Sequence, residues 1–144
     1  MFSSLFSSKN QKLVKKWVKE HEQIVVLAHK VIAEYSLNNH TGAKKYLVQL
    51  NKIAVNHLMI EDIELYKLLR EDKQTDEKTE RLIVEFKESF RKVKIALMEF
   101  LTKYSKSEVV LDEEFFKSFN DIVGVLAQRI DFEEKNLYTV LDSK

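Results

Sequence analysis

Hydrophobic residues recur at steps of three and four along most of this chain, the spacing that places them on one face of an α-helix. This pattern predicts four long helices, over about residues 10–35, 42–70, 77–104 and from 113 onwards. Polar segments separate them, at residues 38–42, 71–76 and 105–111. Asp112, followed by two glutamates, is typical of the N-cap of a helix and is expected to begin the fourth.

Four amphipathic helices joined by short loops bury their apolar faces best as an antiparallel up-down-up-down four-helix bundle. The chain has no Pro and two Gly, so few positions other than the polar loops could interrupt a helix. We therefore expect an all-α fold, with the bundle formed by residues 10–144 and a short N-terminal arm formed by residues 1–9.

Length and composition exclude several classes of protein. A chain of 144 residues, 44% of them hydrophobic, suits one domain with its own core. A net charge of +1 gives no reason to expect binding to nucleic acid. No apolar run approaches the roughly 20 residues that span a bilayer, so no membrane association is expected. The N-terminal segment does not resemble a secretion signal, and a cytoplasmic location is expected by default.

The absence of Cys and of known catalytic motifs limits the kinds of site that the chain could form. Without Cys it has no disulfide framework and no thiolate, so any metal would be held by His, Asp or Glu. No residues suggest a nucleophile with its base, and there is no Gly-rich phosphate loop. We therefore expect that the protein is not an enzyme and has no catalytic residues.

Five polar residues interrupt the apolar faces of the predicted helices, namely His21, His57, Glu61, Arg129 and Glu133. Burying an unpaired carboxylate costs several kcal/mol, so the two glutamates need a cation, a proton or a hydrogen-bond donor. Two interpretations follow. Arg129 could neutralise both glutamates within a buried polar network, or the histidines and glutamates could converge on a metal ion, as such residues do in bundle cores.

Two segments of the chain echo each other. In residues 57–69 and 129–141, an acidic pair is followed at the same spacing by Leu-Tyr and then by Leu. The first segment places His57 four residues before Glu61, so both side chains point the same way and can bind one cation. The second segment has Arg129 at the position of the His. This echo suggests a paired metal site of which one half is lost.

At these residues the chain resembles the hemerythrin-like family, also called the HHE cation-binding domain. The resemblance is carried by Lys-Glu-His-Glu-Gln-Ile at residues 19–24 and by His-x-x-x-Glu-Asp-x-x-Leu-Tyr at residues 57–66. Helix order, loop positions and length also fit, so the likeness covers nearly the whole chain after residue 10. It implies a site for two non-haem irons between four helices, bridged by two carboxylates.

The resemblance also implies which residues would be ligands. One iron would take His21 from the first helix and His57 from the second. The bridging carboxylates would be Glu61 and Glu133, with Glu134 as the substitute if the last helix has a shifted register. These positions of the first iron all carry residues that can bind metal.

The second iron would take two His from the third helix and one from the fourth. The matching positions carry Phe86, Phe90 and Arg129, so all three substitutions fall on one metal position. We hypothesise that the phenyl rings fill the vacated volume and that the guanidinium supplies the charge of the missing ion. One iron is then expected rather than two, although Mn(II) or Zn(II) would suit the same ligands.

Two functions remain open from the sequence. Free coordination positions on a single iron would suit oxygen binding, nitric oxide binding, redox sensing or metal handling, with a small gaseous molecule as the ligand. Alternatively, Arg129 excludes any metal, and the protein is a metal-free bundle that binds a protein partner.

Overall fold

The computed structural model describes residues 2–71 and 77–139, and within these the chain is all helical. The elements are α1 (Phe2–Ser36), α2 (His40–Glu71), α3 (Glu77–Ser105) and α4 (Glu113–Phe132), with a π-helical turn (Glu133–Leu137) that continues α4. The all-α class predicted from the hydrophobic pattern is confirmed.

Two predicted helix starts differ from the structure. The first helix begins at Phe2 instead of near residue 10, because no Pro or Gly interrupts the N-terminal segment and the helix can extend through it. The second begins at His40, two residues before Gly42. The division into an arm and a bundle stays a prediction. The second predicted loop falls mainly on residues 72–76, which, like residues 140–144, lie outside the described residues.

The turn between α1 and α2 depends on two adjacent asparagines. Asn38 has a φ angle of 64°, the left-handed conformation that ends many helices and that Asn tolerates better than most residues. The side chain of Asn39 accepts a hydrogen bond from the Gly42 amide at 3.0 Å and so caps the start of α2. The polar character that marked this segment as a break therefore has a direct structural role.

The loop before α4 is held at both ends. Asp112 Oδ1 accepts a hydrogen bond from the Phe115 amide at 2.8 Å, which confirms the predicted N-cap. On the other side, Lys44 Nζ donates to the carbonyl oxygens of Tyr104, Lys106 and Val109. Burial lowers the pKa of Lys44, but the three carbonyl groups replace the water that its ammonium group loses.

Replacing Asp112 with Ala is expected to lower the free energy of unfolding by about 1 kcal/mol, because the Phe115 amide loses its acceptor. Chemical denaturation followed by circular dichroism measures this change. Asp121→Ala is the matched control, since it removes an equal charge from an exposed position of the same helix. An equal loss of stability in both variants would show that charge, and not capping, causes the effect.

The helices pack through two apolar clusters. Helix α1 contacts α2 and α4, and α3 contacts the same two helices. The first core cluster consists of Ile24, Leu27, Ala28, Val31, Ala43, Leu47, Leu50, Ala54, Leu97, Leu101, Tyr104, Leu111, Phe115, Phe119 and Leu126. The second core cluster consists of Val14, Trp17, Leu65, Leu69, Ile83, Phe86, Leu137 and Tyr138. Along α1, α2 and α4, the buried polar residues lie between these two clusters.

Among the described residues, no helix combines the length and the hydropathy that crossing a membrane requires.

Candidate metal centre

Four buried side chains from three parts of the chain meet between the two core clusters. His21 comes from α1, His57 and Glu61 from α2, and Glu133 from the first position of the π-helical turn. Their exposed fractions are between 1% and 4%. Each offers one potential ligand atom, and these atoms all lie within 4.8 Å of one another. The structure thus brings together the four residues that the sequence nominated, and they form a group that could hold a metal ion.

The distances within this group suit a metal ion after a small adjustment. His21 Nε2 lies 3.7 Å from Glu61 Oε2 and 3.9 Å from Glu133 Oε1. Ligand atoms that each lie about 2.1 Å from one ion are at most about 4.2 Å apart. These two distances therefore already allow shared coordination of one ion, while the group as a whole, at up to 4.8 Å, would have to contract slightly.

Local helix geometry explains how α2 supplies two of these residues. His57 and Glu61 are one helical turn apart and project from the same face. Ala54 and Leu65, which precede and follow them on that face, are fully buried. The two apolar residues anchor the face in the core, so the imidazole and the carboxylate between them are buried too.

The π-helical turn positions the acidic residues of the last helix. The wider turn changes the phase of the helix, and such insertions are frequent at functional sites. Glu133 faces His21 Nε2 from inside, while Glu134 Oε1 lies 3.6 Å from His21 Nδ1 on the more exposed side. Glu133 is therefore in the group, and Glu134 is beside it. The sequence contains no Gly or Pro here that would signal the turn.

Several polar atoms of the group have no hydrogen-bond partner among the described residues. Both oxygens of Glu61, Nε2 of His57 and Nδ1 of His21 are buried and make no hydrogen bond, although His57 Nε2 lies directly against Glu61 Oε2. Buried polar atoms without partners cost about 1–3 kcal/mol each. Because the two Glu61 oxygens and the His57 nitrogen carry lone pairs, a cation would satisfy them, and the donor set fits one.

Glu20 orients one of the imidazoles. Its Oε2 lies 2.6 Å from His57 Nδ1. A carboxylate at this nitrogen favours the tautomer in which Nδ1 carries the proton and Nε2 offers its lone pair to the group. The sequence reasoning missed this residue as a contributor. The available signal was an acidic residue directly before His21.

The group carries more negative charge than its surroundings compensate. Burial and the neighbouring Glu61 raise the pKa of Glu133 to about 8, and Arg129 only partly opposes this. Burial lowers the pKa of His57, but Glu61 and Glu20 outweigh it and the net shift is upward. Burial lowers the pKa of His21. The surroundings of Glu133 therefore disfavour its charged form, and a cation in the group would oppose that effect.

The three residues that the resemblance assigned to a second ion lie together beside Glu133: they are Arg129, Phe86 and Phe90. Arg129 Nε donates to Glu133 Oε1 at 3.2 Å. Its guanidinium carbon lies 5.3 Å from the ring centre of Phe86 and 5.6 Å from that of Phe90. The two ring centres are 4.9 Å apart. These three side chains offer no metal ligand, and they supply one positive charge and apolar volume.

A buried tyrosine also borders the group. The hydroxyl of Tyr138 lies 3.4 Å from His21 Nε2 and 3.5 Å from Glu133 Oε2, and its ring stacks on that of His21. Tyr66, at the equivalent position of the echoed segment, instead lies against Phe86. The second of the two echoed segments ends outside the described residues. His29 and His40 are exposed.

No protein-family model, curated protein or solved structure matches this chain. Its function must therefore be inferred from the buried group itself, which is compatible with metal binding.

Proposed function

We propose that this protein is a hemerythrin-like metal-binding protein that holds one divalent ion, iron in the first place, through His21, His57, Glu61 and Glu133. One observation carries the proposal: four buried side chains from separate helical segments direct potential ligand atoms into one space within 4.8 Å of one another. Lone-pair atoms without hydrogen bonds in that space need a positive partner.

The proposed arrangement of the helices is the antiparallel up-down-up-down four-helix bundle. In its support, the first core cluster joins the C-terminal half of α1 to the N-terminal half of α2, then the C-terminal half of α3 to the N-terminal half of α4. The second core cluster joins the opposite halves. This alternation is what antiparallel neighbours produce, and it leaves the buried polar group at mid-length, where bundles build their metal sites.

A single ion balances the charge better than two. Glu61 and Glu133 carry two potential negative charges, and Arg129 offsets one of them. One divalent ion would bind both carboxylates in their deprotonated form. A second ion would need nitrogen ligands on the side where Phe86 and Phe90 pack against the guanidinium. We therefore propose one ion per chain.

The ligand types narrow the choice of ion without reducing it to one. Imidazole with carboxylate suits Fe(II), Mn(II) and Zn(II), and iron is proposed because of the resemblance to the hemerythrin-like family. An iron held there with open coordination positions would bind a small gaseous ligand, such as dioxygen or nitric oxide. We propose sensing or metal handling, and no enzymatic reaction.

A metal-free interaction module is the second candidate function. The observation in its favour is the buried ion pair between Arg129 and Glu133, which already supplies positive charge to the group. In that case the ion pair between Glu133 and Arg129 stabilises the core, and the protein acts through a protein partner. The two functions differ in whether the purified protein contains metal.

Elemental analysis of protein purified without oxygen, combined with an absorption spectrum, tests the proposal. We expect one iron per chain and no absorption from an oxo-bridged pair. Adding iron to chelator-treated protein at 100 times the dissociation constant should raise the free energy of unfolding by about 2.7 kcal/mol. Two irons per chain would contradict the roles given to Phe86, Phe90 and Arg129. No metal, and no effect of chelation on thermal stability, would favour the interaction module.

A further inference from the structure

A groove between α1 and α2 leads from the surface to the buried group. It has a volume of about 300 Å³ and is lined by side chains of both helices. Exposed Lys16 and half-exposed Ile60 line it, and so do His57 and Glu61, which are 4% and 1% exposed. The groove therefore connects solvent to two of the proposed ligands.

Other sides of the group are covered by packed side chains. Tyr138 is 1% exposed, and its ring stacks on that of His21. Phe86, also 1% exposed, packs against Arg129 on another side. Interiors packed in this way do not admit an ion with its water shell. The groove gives access without displacing this core.

The volume of the groove matches a hydrated ion. Six waters occupy about 180 Å³ in the liquid, at about 30 Å³ each, which is less than the volume of the groove. Buried atoms that lack hydrogen bonds, His57 Nε2 and both oxygens of Glu61, belong to residues that line it. A hydrated divalent cation could therefore enter and exchange water for these atoms.

Glu20 links the groove to the ligands. Its side chain is 27% exposed and lines the groove, while its Oε2 lies 2.6 Å from His57 Nδ1. It is thus a negatively charged group accessible to solvent and next to a proposed ligand. Lys16, one helical turn earlier on α1, places a positive charge at the same groove. A negative charge near an opening raises the rate at which cations enter it, and a positive charge lowers that rate.

We infer that this groove is the entrance by which a hydrated divalent cation reaches the buried group, that Glu20 is the carboxylate that first receives it, and that Lys16 slows its arrival. The inference rests on the proposed function, since it assumes that the group binds metal. The groove would then be the route of metal uptake, and Glu20 and Lys16 would control its rate.

Stopped-flow mixing of chelator-treated full-length protein with Co²⁺, followed by the visible absorption of bound cobalt, tests this route. In Ile60→Trp, the larger side chain fills the groove and should lower the association rate at least roughly tenfold, because the groove must open before the ion passes. The dissociation constant should stay unchanged, since release uses the same route. Ile95→Trp is the matched control: Ile95 on α3 is 52% exposed, compared with 49% for Ile60, and does not line the groove.

A second variant tests whether the charge of Lys16 slows the entry of the cation, and its expected effect does not depend on side-chain packing. Lys16→Glu changes an exposed side chain and should raise the association rate on the order of tenfold at low ionic strength, with the gain disappearing in high salt. Equal association rates in the wild type, Ile60→Trp and Lys16→Glu, at equal cobalt affinity, would overturn the entrance while leaving the metal site intact. Failure of the wild type to bind cobalt, manganese, zinc or iron would overturn the proposed function and this inference with it.

Discussion

Replacing His57 with Ala is expected to weaken metal binding by more than roughly 100-fold, since loss of a residue that merely supports a ligand already costs 10–100-fold. The substitution removes the nitrogen that faces Glu61, and Glu20 loses the imidazole that it holds. Iron per chain after purification without oxygen, and cobalt affinity by titration, measure the loss. The metal-free variant should remain helical, because the two apolar core clusters on either side of the ring are unchanged.

His29→Ala is the matched control for this experiment. His29 also lies on a helix but is exposed to solvent, so its removal should leave iron content and affinity unchanged. Retention of metal at full affinity by the His57 variant would show that the ion, if bound, lies elsewhere. Equal loss in both variants would point to nonspecific binding by surface imidazoles.

Replacing Arg129 with Met is expected to have opposite effects on the metal-free and the metal-bound protein. Without metal, the variant should lose about 3 kcal/mol of unfolding free energy, because Glu133 loses its buried charged partner. With metal, affinity should rise at least about tenfold, because a positive charge next to the cation is removed. Met fills part of the space beside Phe86 and Phe90, which limits the contribution of lost packing. Denaturation with chelator and cobalt titration measure the two effects.

Arg81→Met is the control, since it removes an arginine whose side chain is 79% exposed. Its unfolding free energy should stay within about 0.5 kcal/mol of the wild type. If Arg129→Met is destabilised and still binds no metal, the guanidinium serves a metal-free core and the interaction module is favoured. If its cobalt affinity falls, Arg129 supports the site, and its assignment as a substitute for the charge of a missing ion is wrong.

The two variants together separate the candidate functions. A metal protein should lose its ion in the His57 variant and bind it more tightly in the Arg129 variant. A metal-free module should show no ion in either, and only the second variant should lose substantial stability. The difference arises because His57 offers a ligand atom, whereas Arg129 offers positive charge alone.

The helical pattern was readable from the chain because apolar periodicity reports which face of each helix is buried. The break near Asn38 and the N-cap at Asp112 were readable as well, because each depends on local hydrogen bonds between neighbouring residues. The start of α1 was not, because its Ser- and Phe-rich segment contains no residue that forbids a helix and none that requires its end. Helix ends could therefore be predicted where neighbouring side chains make specific hydrogen bonds. They could not be predicted where the local sequence neither favours nor forbids a helix.

The residues of the site divide in a similar way. His21, His57, Glu61 and Glu133 could be named in advance because charged and imidazole side chains on apolar faces violate the binary pattern, and such violations mark functional or strained positions. The contribution of Glu20 could not be named, because its contact with His57 joins residues 37 positions apart. The role of Tyr138 beside His21 depends likewise on packing across 117 positions.

By itself, the sequence determined that the chain is helical, which faces are buried and which polar residues those faces carry, because these properties depend on spacing within one helix. Only the tertiary structure decided that the four proposed ligands share one space, that a π-helical turn directs Glu133 inward, and that His57 and Glu61 line a groove between α1 and α2. The physical reason is that distance between helices is set by how their side chains pack against one another, and no periodicity along a single segment contains that information.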